Sequence, residues 1–173
     1  MRIESIIQHY DKLANQRDKF RKQNAYYYQA LNRQYKYFIP EGKRILEVGC
    51  STGDLLADLK PSYGLGIDVS PKVIDIAKKK YSNLNFFLGT IQDLKTDEKF
   101  DYIILEGLLS EQEDIEEFLI SLKRFCNKDT RIIIEYYSYF WQMMLKGAEA
   151  IGCKLPQLEQ NWLTKNDICN FLD

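Results

Sequence analysis

The chain contains Ile45-Leu46-Glu47-Val48-Gly49-Cys50-Ser51-Thr52-Gly53-Asp54 and, ten residues later, Leu65-Gly66-Ile67-Asp68. An apolar run that closes on an acidic residue and leads into a small-residue loop is typical of a strand that ends beside a ligand. The second apolar run ends in a carboxylate 19 residues after Gly49, where it can accept hydrogen bonds from both hydroxyls of a ribose. These segments predict a cofactor-binding unit of strand, loop, helix and strand.

The loop resembles the first motif of the class I S-adenosylmethionine-dependent methyltransferases, Glu-x-Gly-x-Gly-x-Gly. The motif is present as Glu47-Val48-Gly49-Cys50-Ser51-Thr52-Gly53, with Ser51 at the middle glycine. Three later segments resemble, in order, the third strand with its adenine-contacting turn, the fourth strand and the fifth strand of the family: Asn85–Leu94, Phe100–Glu106 and Arg131–Tyr136. The resemblance covers roughly residues 40–140.

The resemblance implies S-adenosylmethionine as the cofactor and transfer of its methyl group to a small-molecule acceptor. Glu47 and the loop after it would meet the methionine end, Asp68 the ribose, and Val69 the adenine ring. The turn after the third strand would meet the adenine edge, although Thr90 stands where relatives often have aspartate. The cofactor-binding residues implied in this way are Glu47, Gly49, Cys50, Gly53, Asp68, Val69, Ile91, Gln92 and Asp93.

Glu106 is the candidate catalytic residue because it closes the fourth strand, at the edge of the sheet where ligands bind. It would act as a base for an acceptor that must lose a proton. Ordering the cofactor, or capping the next helix, are alternative roles for the same side chain. Tyr136 and Tyr137 end the fifth strand and are expected to face the same pocket.

Each cofactor-site residue also has a purely structural interpretation. Asp68 can cap the helix opened by Pro71, Asp93 can serve a turn, and the two glycines can serve turn geometry alone. A nicotinamide cofactor is disfavoured, because its Gly-x-Gly-x-x-Gly fingerprint is represented only by the first glycine and Asp54 would lie near the diphosphate. The ordered combination of motifs favours the cofactor site.

The fold class predicted is α/β: a Rossmann-like parallel sheet of about five strands with helices on both faces, preceded by two amino-terminal helices. Apolar residues recur at helical spacing from Ile3 to Ala14 and again from Phe20 to Phe38, which predicts the two helices. We expect a single domain over residues 1–173, with a helical cap over 1–40, a cofactor-binding core over 41–137 and carboxyl-terminal helices over 138–173. Strands are predicted near 44–48, 64–68, 85–88, 101–105 and 131–136, and helices between them near 54–60, 71–80 and 112–125.

Composition limits the other classes of protein. The chain has 173 residues, 45% of them hydrophobic, which suits one domain with a proper core. There is no apolar run long enough to span a membrane and no leader-like apolar start, so a cytoplasmic protein without membrane association is expected. The four cysteines are far apart in the sequence, which favours reduced thiols and predicts no metal site.

The charge is unevenly distributed. Residues 1–44 carry ten Lys or Arg against four Asp or Glu, whereas the whole chain has a formal net charge of −1. The basic segment suggests a phosphorylated or carboxylated acceptor, or simply a solvated helical face. Nucleic acid is not expected as a partner, because the total charge is acidic and no binding module is recognisable.

The carboxyl-terminal part departs from the family pattern. Only 37 residues follow Tyr136. They predict a helix near 139–151, a loop through Pro156 to Trp162 and a helix that Thr164 caps, instead of the final two strands of the family's sheet. We expect the chain to be a fragment of a longer polypeptide; a reduced variant is the alternative. Because the fifth strand is apolar, a homodimer contact or cover from the last helices is expected at its edge. A non-catalytic cofactor-binding or interaction domain of a larger protein is the alternative function.

Overall fold

The computed structural model describes residues 2–136, 142–150 and 164–172. Five strands form one sheet: β1 Arg44–Val48, β2 Tyr63–Asp68, β3 Asn85–Leu88, β4 Phe100–Glu106 and β5 Cys126–Glu135. Seven helices are described: α1 Arg2–Gln23, α2 Ala25–Phe38, α3 Asp54–Asp58, α4 Pro71–Lys80, α5 Ile115–Leu122, α6 Gln142–Ala150 and α7 Lys165–Leu172. Short 3₁₀ turns lie at Leu109–Glu111 and Lys123–Phe125.

The sheet is parallel throughout, with the order β3-β2-β1-β4-β5. Because the chain starts in the middle of the sheet and builds outward in both directions, the loops after β1 and β4 lie side by side at the carboxyl ends of the strands. This is the switch point at which open α/β sheets bind ligands. The predicted parallel α/β fold with two preceding helices is confirmed.

The two faces of the sheet carry separate apolar cores. Alternate strand residues such as Leu46 and Leu105 pack with α5 and with Ile168 of α7 on one face. Ile45 and Ile104 pack with α2, α3 and α4 on the other. Successive strand residues point to opposite faces, so strands buried on both faces must be mostly apolar, as the central strands β1 and β4 are.

The amino-terminal helices follow their apolar stripes but divide at a different place. Phe20, assigned by its spacing to the second stripe, belongs to α1, because the first helix continues to Gln23. The first helix ends there because the side-chain amide of Asn24 donates to the Phe20 carbonyl at 3.0 Å, a carbonyl in the last turn of the helix. The second helix packs on the sheet through the fully buried Tyr35.

Two other boundaries differ from the sequence prediction. Helix α5 starts at Ile115 rather than 112, because Asp114 caps it by accepting from the Glu117 N–H at 2.8 Å. Strand β5 begins five residues early, since Thr130 Oγ1 donates to the Phe100 carbonyl at 2.6 Å and holds the polar residues 127–129 along β4. A polar strand start carries no apolar signal, which is why the sequence did not reveal it.

The carboxyl-terminal predictions are tested in part. The Thr164 cap is confirmed, since its Oγ1 accepts from the Asp167 N–H at 3.3 Å at the start of α7. Helix α6 lies inside the helix predicted near 139–151, whereas the loop predicted through Pro156 to Trp162 lies outside the described residues. The three-part division of the chain and the fragment hypothesis stay predictions.

Gly53 and Gly42 allow a matched test of packing behind the loop after β1. Both glycines have a left-handed backbone, with φ of +78° and +77°. A Cβ on Gly53 would lie 2.7 Å from Phe86 Cζ, whereas one on Gly42 would meet nothing within 4 Å. We expect Gly42→Ala to cost about 1–2 kcal/mol for the strained φ alone. Gly53→Ala should lose about 1–3 kcal/mol more from overpacking, measured by denaturant unfolding. Equal losses would contradict this assignment.

Candidate functional site

A cavity of about 1500 Å³ lies beyond the carboxyl ends of the strands, beneath α1 and α2. Apolar residues of α1, including Ile6, Leu13 and Phe20, form part of its wall opposite the strand ends. Small-molecule sites commonly enclose about 300–1000 Å³, so this cavity has room for a cofactor together with a second molecule.

Asp68 organises the loops on the β1–β2 side of the cavity. Its Oδ2 accepts from the Ser51 N–H at 3.0 Å, and its Oδ1 accepts from the Ser70 N–H at 2.9 Å. Burial raises the pKa of Asp68, although the N–H of Ser70 and the charge of Arg17 oppose the shift. The carboxylate therefore fixes the geometry of both loops, while its position at the end of β2 suits a ribose.

Ser51 replaces the middle glycine of the motif and has a left-handed φ of +50°. A non-glycine residue in this region costs about 1–2 kcal/mol. Its hydroxyl accepts a hydrogen bond from Arg17 Nη1 of α1, a contact that glycine could not provide. The departure from the family pattern thus anchors the first helix over the loop.

Glu47 is the most deeply buried carboxylate at the site, with 1% of its surface exposed. The Leu56 N–H donates to it, whereas its Oε2 has no hydrogen-bond partner within the described part of the chain. Burial, followed by the charge of Glu106, raises the pKa of Glu47 well above its ordinary value. A buried acceptor of this kind fits the ammonium group of an amino acid.

Arg17 was not identified from the sequence, where it was only one of ten basic residues before position 45. Its guanidinium carbon lies 5.1 Å from the centre of the Tyr10 ring, and its buried Nε has no partner among residues that the structure describes. A guanidinium with a free donor fits a carboxylate. Glu47 and Arg17 together therefore suit the ammonium and carboxylate of the methionine end of S-adenosylmethionine.

The turn after β3, which was predicted to meet the adenine edge, forms part of the cavity wall. Thr90 and Gln92 line the cavity, but Ile91 is buried in the apolar core beneath it. Asp93 does not line the cavity; its Oδ2 accepts from the Thr90 N–H at 2.9 Å and from Thr90 Oγ1 at 2.6 Å. The Asp93 side chain thus closes the turn, and Arg124 holds the turn's carbonyls.

Some residues of the loop after β1 line the cavity, and others pack behind it. Gly49 lines the cavity with a φ of +79°, whereas Gly53 lies outside its wall and packs against Phe86. Cys50 lines the cavity but buries its thiol against Gly66. Burial raises the pKa of Cys50 well above its ordinary value, so the thiol supplies bulk rather than reactivity. Val69, the predicted adenine contact, also lines the cavity.

Asp54 follows the loop and ties it to α1. Lys80 Nζ lies 2.7 Å from Asp54 Oδ1 and 2.8 Å from Asp18 of α1. Burial would raise the pKa of Asp54, but hydrogen bonds from Lys80, Thr52 and Tyr81 hold it below its ordinary value. This network is a second anchor for the first helix.

Glu106, the predicted catalytic residue, lines the cavity at the end of β4. Burial raises the pKa of Glu106, opposed by the charges of Arg21 and Arg17. Tyr136 lines the same side, and Tyr137 lies outside the described residues. Of the tyrosines at 26–28, Tyr27 and Tyr28 line the cavity while Tyr26 is 88% exposed.

No helix in the described ranges 2–136, 142–150 and 164–172 is long and apolar enough to cross a membrane. No group of three or more His, Cys, Asp or Glu side chains there is placed to hold a metal ion.

A central switch point, a small-residue loop after β1 and an acidic residue closing β2 define the class I methyltransferase type of α/β domain. Comparison with known families agrees: a family model described as a methyltransferase domain matches residues 39–169. The chain belongs to this methyltransferase domain family, and S-adenosylmethionine is its cofactor, as predicted.

Curated relatives are distant. An uncharacterized protein of Methanocaldococcus jannaschii is 30% identical over 127 residues, which cover 72% of this chain and 59% of that protein. Carboxy-S-adenosyl-L-methionine synthase 1 of Yersinia pseudotuberculosis is 26% identical over 141 residues, covering 73% of this chain and 56% of the synthase. The chain thus spans less than two thirds of the length of these relatives.

Solved structures share the fold. A methyltransferase of Thermotoga maritima, described as a possible histamine N-methyltransferase, superposes with a TM-score of 0.77 at 19% identity, covering 96% of this chain and 78% of that one. Magnesium protoporphyrin IX methyltransferase of Synechocystis, with bound S-adenosylhomocysteine, gives a TM-score of 0.77 at 16% identity, covering 99% and 87%. At these identities the likeness concerns the fold.

Glu47 is expected to lower the stability of the ligand-free protein and to strengthen binding of the cofactor. Because its folded pKa lies above the ordinary 4.5, folding favours the protonated form, and its contribution to stability falls as pH rises above that value. We expect Glu47→Gln to stabilise the ligand-free protein increasingly towards neutral pH, and to weaken S-adenosylhomocysteine binding at least about tenfold. Thermal unfolding across pH and calorimetry measure the two effects. The exposed Glu116→Gln should produce neither; a destabilised Glu47→Gln at neutral pH would refute the assignment.

Arg17 should contribute directly to cofactor affinity. We expect Arg17→Ala to weaken S-adenosylmethionine binding at least about tenfold, because a hydrogen bond between charged groups is worth about 1.5–3 kcal/mol. Arg17→Lys should recover part of the loss, since it keeps the charge but not the guanidinium fork. Lys19→Ala, at an exposed position on the same helix, is the matched control for calorimetry. Unchanged affinity in Arg17→Ala would exclude the residue from the site.

Proposed function

We propose that this chain catalyses transfer of the methyl group of S-adenosylmethionine to a small-molecule acceptor. The observation that carries the proposal is one cavity with two differently equipped sides. Glu47, Arg17 and Asp68 face the β1–β2 side, where an amino acid and a ribose fit. Glu106 and Tyr136 face the β4–β5 side, where a second molecule would lie.

Binding of the cofactor would use contacts from several loops. Glu47 and Arg17 would hold the ammonium and carboxylate, the Gly49–Cys50 backbone would pass close to the ligand, and Asp68 would accept from the ribose hydroxyls. Thr90, Gln92 and Val69 would surround the adenine. Gly53, Ile91 and Asp93 would support these contacts from behind the cavity wall. All of these roles are proposals for the residues whose positions are described above.

The bound cofactor supplies a methyl group already activated by a sulfonium. The protein's task is then to orient the acceptor and keep water away, an effect worth up to about 7–11 kcal/mol. Helix α1 serves both needs, because Tyr10 donates to Glu111 after β4 while Arg17 binds Ser51 after β1. These contacts hold one helix across both sides of the cavity. Glu106 would accept the acceptor's proton where one must be lost.

The alternative is a non-catalytic cofactor-binding or interaction domain of a larger protein. It is favoured by the coverage of less than two thirds of the curated relatives. It predicts saturable cofactor binding without turnover for any acceptor. The homodimer, the cytoplasmic location and the absence of a nucleic-acid partner also stay predictions.

Calorimetric titration with S-adenosylmethionine and S-adenosylhomocysteine tests the cofactor site. We expect saturable binding of both, reduced at least about tenfold in Asp68→Ala, because hydrogen bonds to a charged carboxylate are lost. The exposed Asp75→Ala on α4 should bind normally and controls for charge. Circular dichroism establishes that each variant is folded. Absence of binding by the folded wild type would overturn the proposed function.

A further inference from the structure

Three glutamates converge at the ends of three adjacent strands. Glu106 pairs with Glu135 in the β4–β5 register, and Glu47 pairs with Ile104, two residues before Glu106. Since side chains alternate along a strand, Glu47, Glu106 and Glu135 point to the same face of the sheet. All three line the cavity. This is the face that α2 covers.

Helix α2 presents aromatic side chains to these carboxylates. Tyr28 lines the cavity. Tyr35 lies about two turns further along the same side of the helix, with 3% of its surface exposed. The Tyr35 hydroxyl has no hydrogen-bond partner among the described residues. It lies in the electrostatic field of all three glutamates, which together with burial raises the pKa of Tyr35. Tyr35 lies behind the cavity wall, so of these two tyrosines it is Tyr28 whose ring faces a ligand in the cavity.

Acidic residues outnumber basic residues in the lining of the cavity. Nine acidic and two basic residues line it. Arg21 is already paired with Asp58 at 3.3 Å, and Arg17 is placed at the methionine end of the cofactor site. Lys12, Lys19 and Arg33 of the same two helices are exposed outside the cavity. The basic segment that suggested an anionic acceptor therefore brings Arg17 and Arg21 to the cavity, where they face nine acidic residues.

Resting on the proposed function, we infer that the methyl acceptor is a cationic amine, bound with its nitrogen at Glu106 and Glu135 beneath the tyrosines of α2. Carboxylates combined with aromatic faces are the groups that recognise ammonium ions. Glu47 is excluded from this role because, in the proposed cofactor site, the ammonium of S-adenosylmethionine would occupy it. A phosphorylated or carboxylated acceptor would instead meet like charges.

The reaction balances with the groups named. The ammonium of the acceptor first passes one proton to the Glu106 carboxylate, which leaves a lone pair on nitrogen. That pair forms the new bond to the methyl carbon, while the carbon–sulfur bond breaks and its electrons stay on sulfur. The products are the methylated ammonium and neutral S-adenosylhomocysteine, and Glu106 returns its proton to water. The raised pKa of Glu106 makes it a stronger base than an exposed glutamate.

Three probes of similar shape and different charge test the inference: phenethylamine, 2-phenylethanol and 3-phenylpropionate. Each is titrated by calorimetry into protein saturated with S-adenosylhomocysteine. We expect the amine to bind at least about tenfold more tightly than the alcohol, and the carboxylate most weakly, because a charge-assisted hydrogen bond separates them. Mass spectrometry after incubation with S-adenosylmethionine should detect a single added methyl on the amine.

Glu106→Gln should abolish the preference for the amine over the alcohol while keeping S-adenosylhomocysteine binding. Glu116→Gln removes the same charge from an exposed site on α5 and should keep the preference. The inference is overturned if the alcohol or carboxylate binds as well as the amine, or if Glu106→Gln retains the preference. Failure of the folded wild type to bind S-adenosylhomocysteine would instead overturn the proposed function, so the two failures are distinguishable.

Discussion

The two hydrogen bonds that Asp68 accepts hold the site together. They fix the Ser51 N–H after β1 and the Ser70 N–H before α4. Helix α1 then attaches to the side chains of the same two serines, since Arg17 donates to the Ser51 hydroxyl and the Ser70 hydroxyl donates to Asp11 at 2.6 Å. One carboxylate therefore sets the loop geometry on the sheet and, through it, the position of the helix that covers the cavity. Loss of Asp68 would disturb both levels at once.

The cavity keeps polar atoms that the protein itself does not satisfy. Glu47 Oε2, Arg17 Nε and the Tyr35 hydroxyl are buried and lack partners in the part of the chain that is described. Each such group costs about 1–3 kcal/mol in the ligand-free protein. Because Glu47 and Arg17 line one cavity and differ in chemistry, a ligand with matching groups can recover the cost of these two. The unsatisfied groups therefore lower the folding stability of the ligand-free protein, and a ligand that satisfies Glu47 and Arg17 regains that part of the free energy on binding.

Sheet and helices divide the work of recognition. The strand ends supply carboxylates whose positions follow from the parallel register, and these are set by the same packing that builds the core. The two amino-terminal helices supply Arg17 and Tyr28, which line the same cavity as the strand-end carboxylates. Because these helices touch the cavity without belonging to the sheet, their side chains can change while the fold is kept. The acceptor preference argued above depends on this second layer.

The sequence by itself determined the parallel sheet, four of its five strands to within a residue, and the positions of Glu47, Asp68 and Glu106 at the strand ends. These features follow from local apolar patterns, and a strand end places its next side chain at the edge of the sheet. Only the tertiary structure placed Arg17, Tyr28 and Glu135 at the cavity, and it put Gly53, Ile91 and Asp93 behind the cavity wall. The physical reason is that a side chain's neighbours from distant segments depend on how a helix lies across the sheet, which no local pattern encodes.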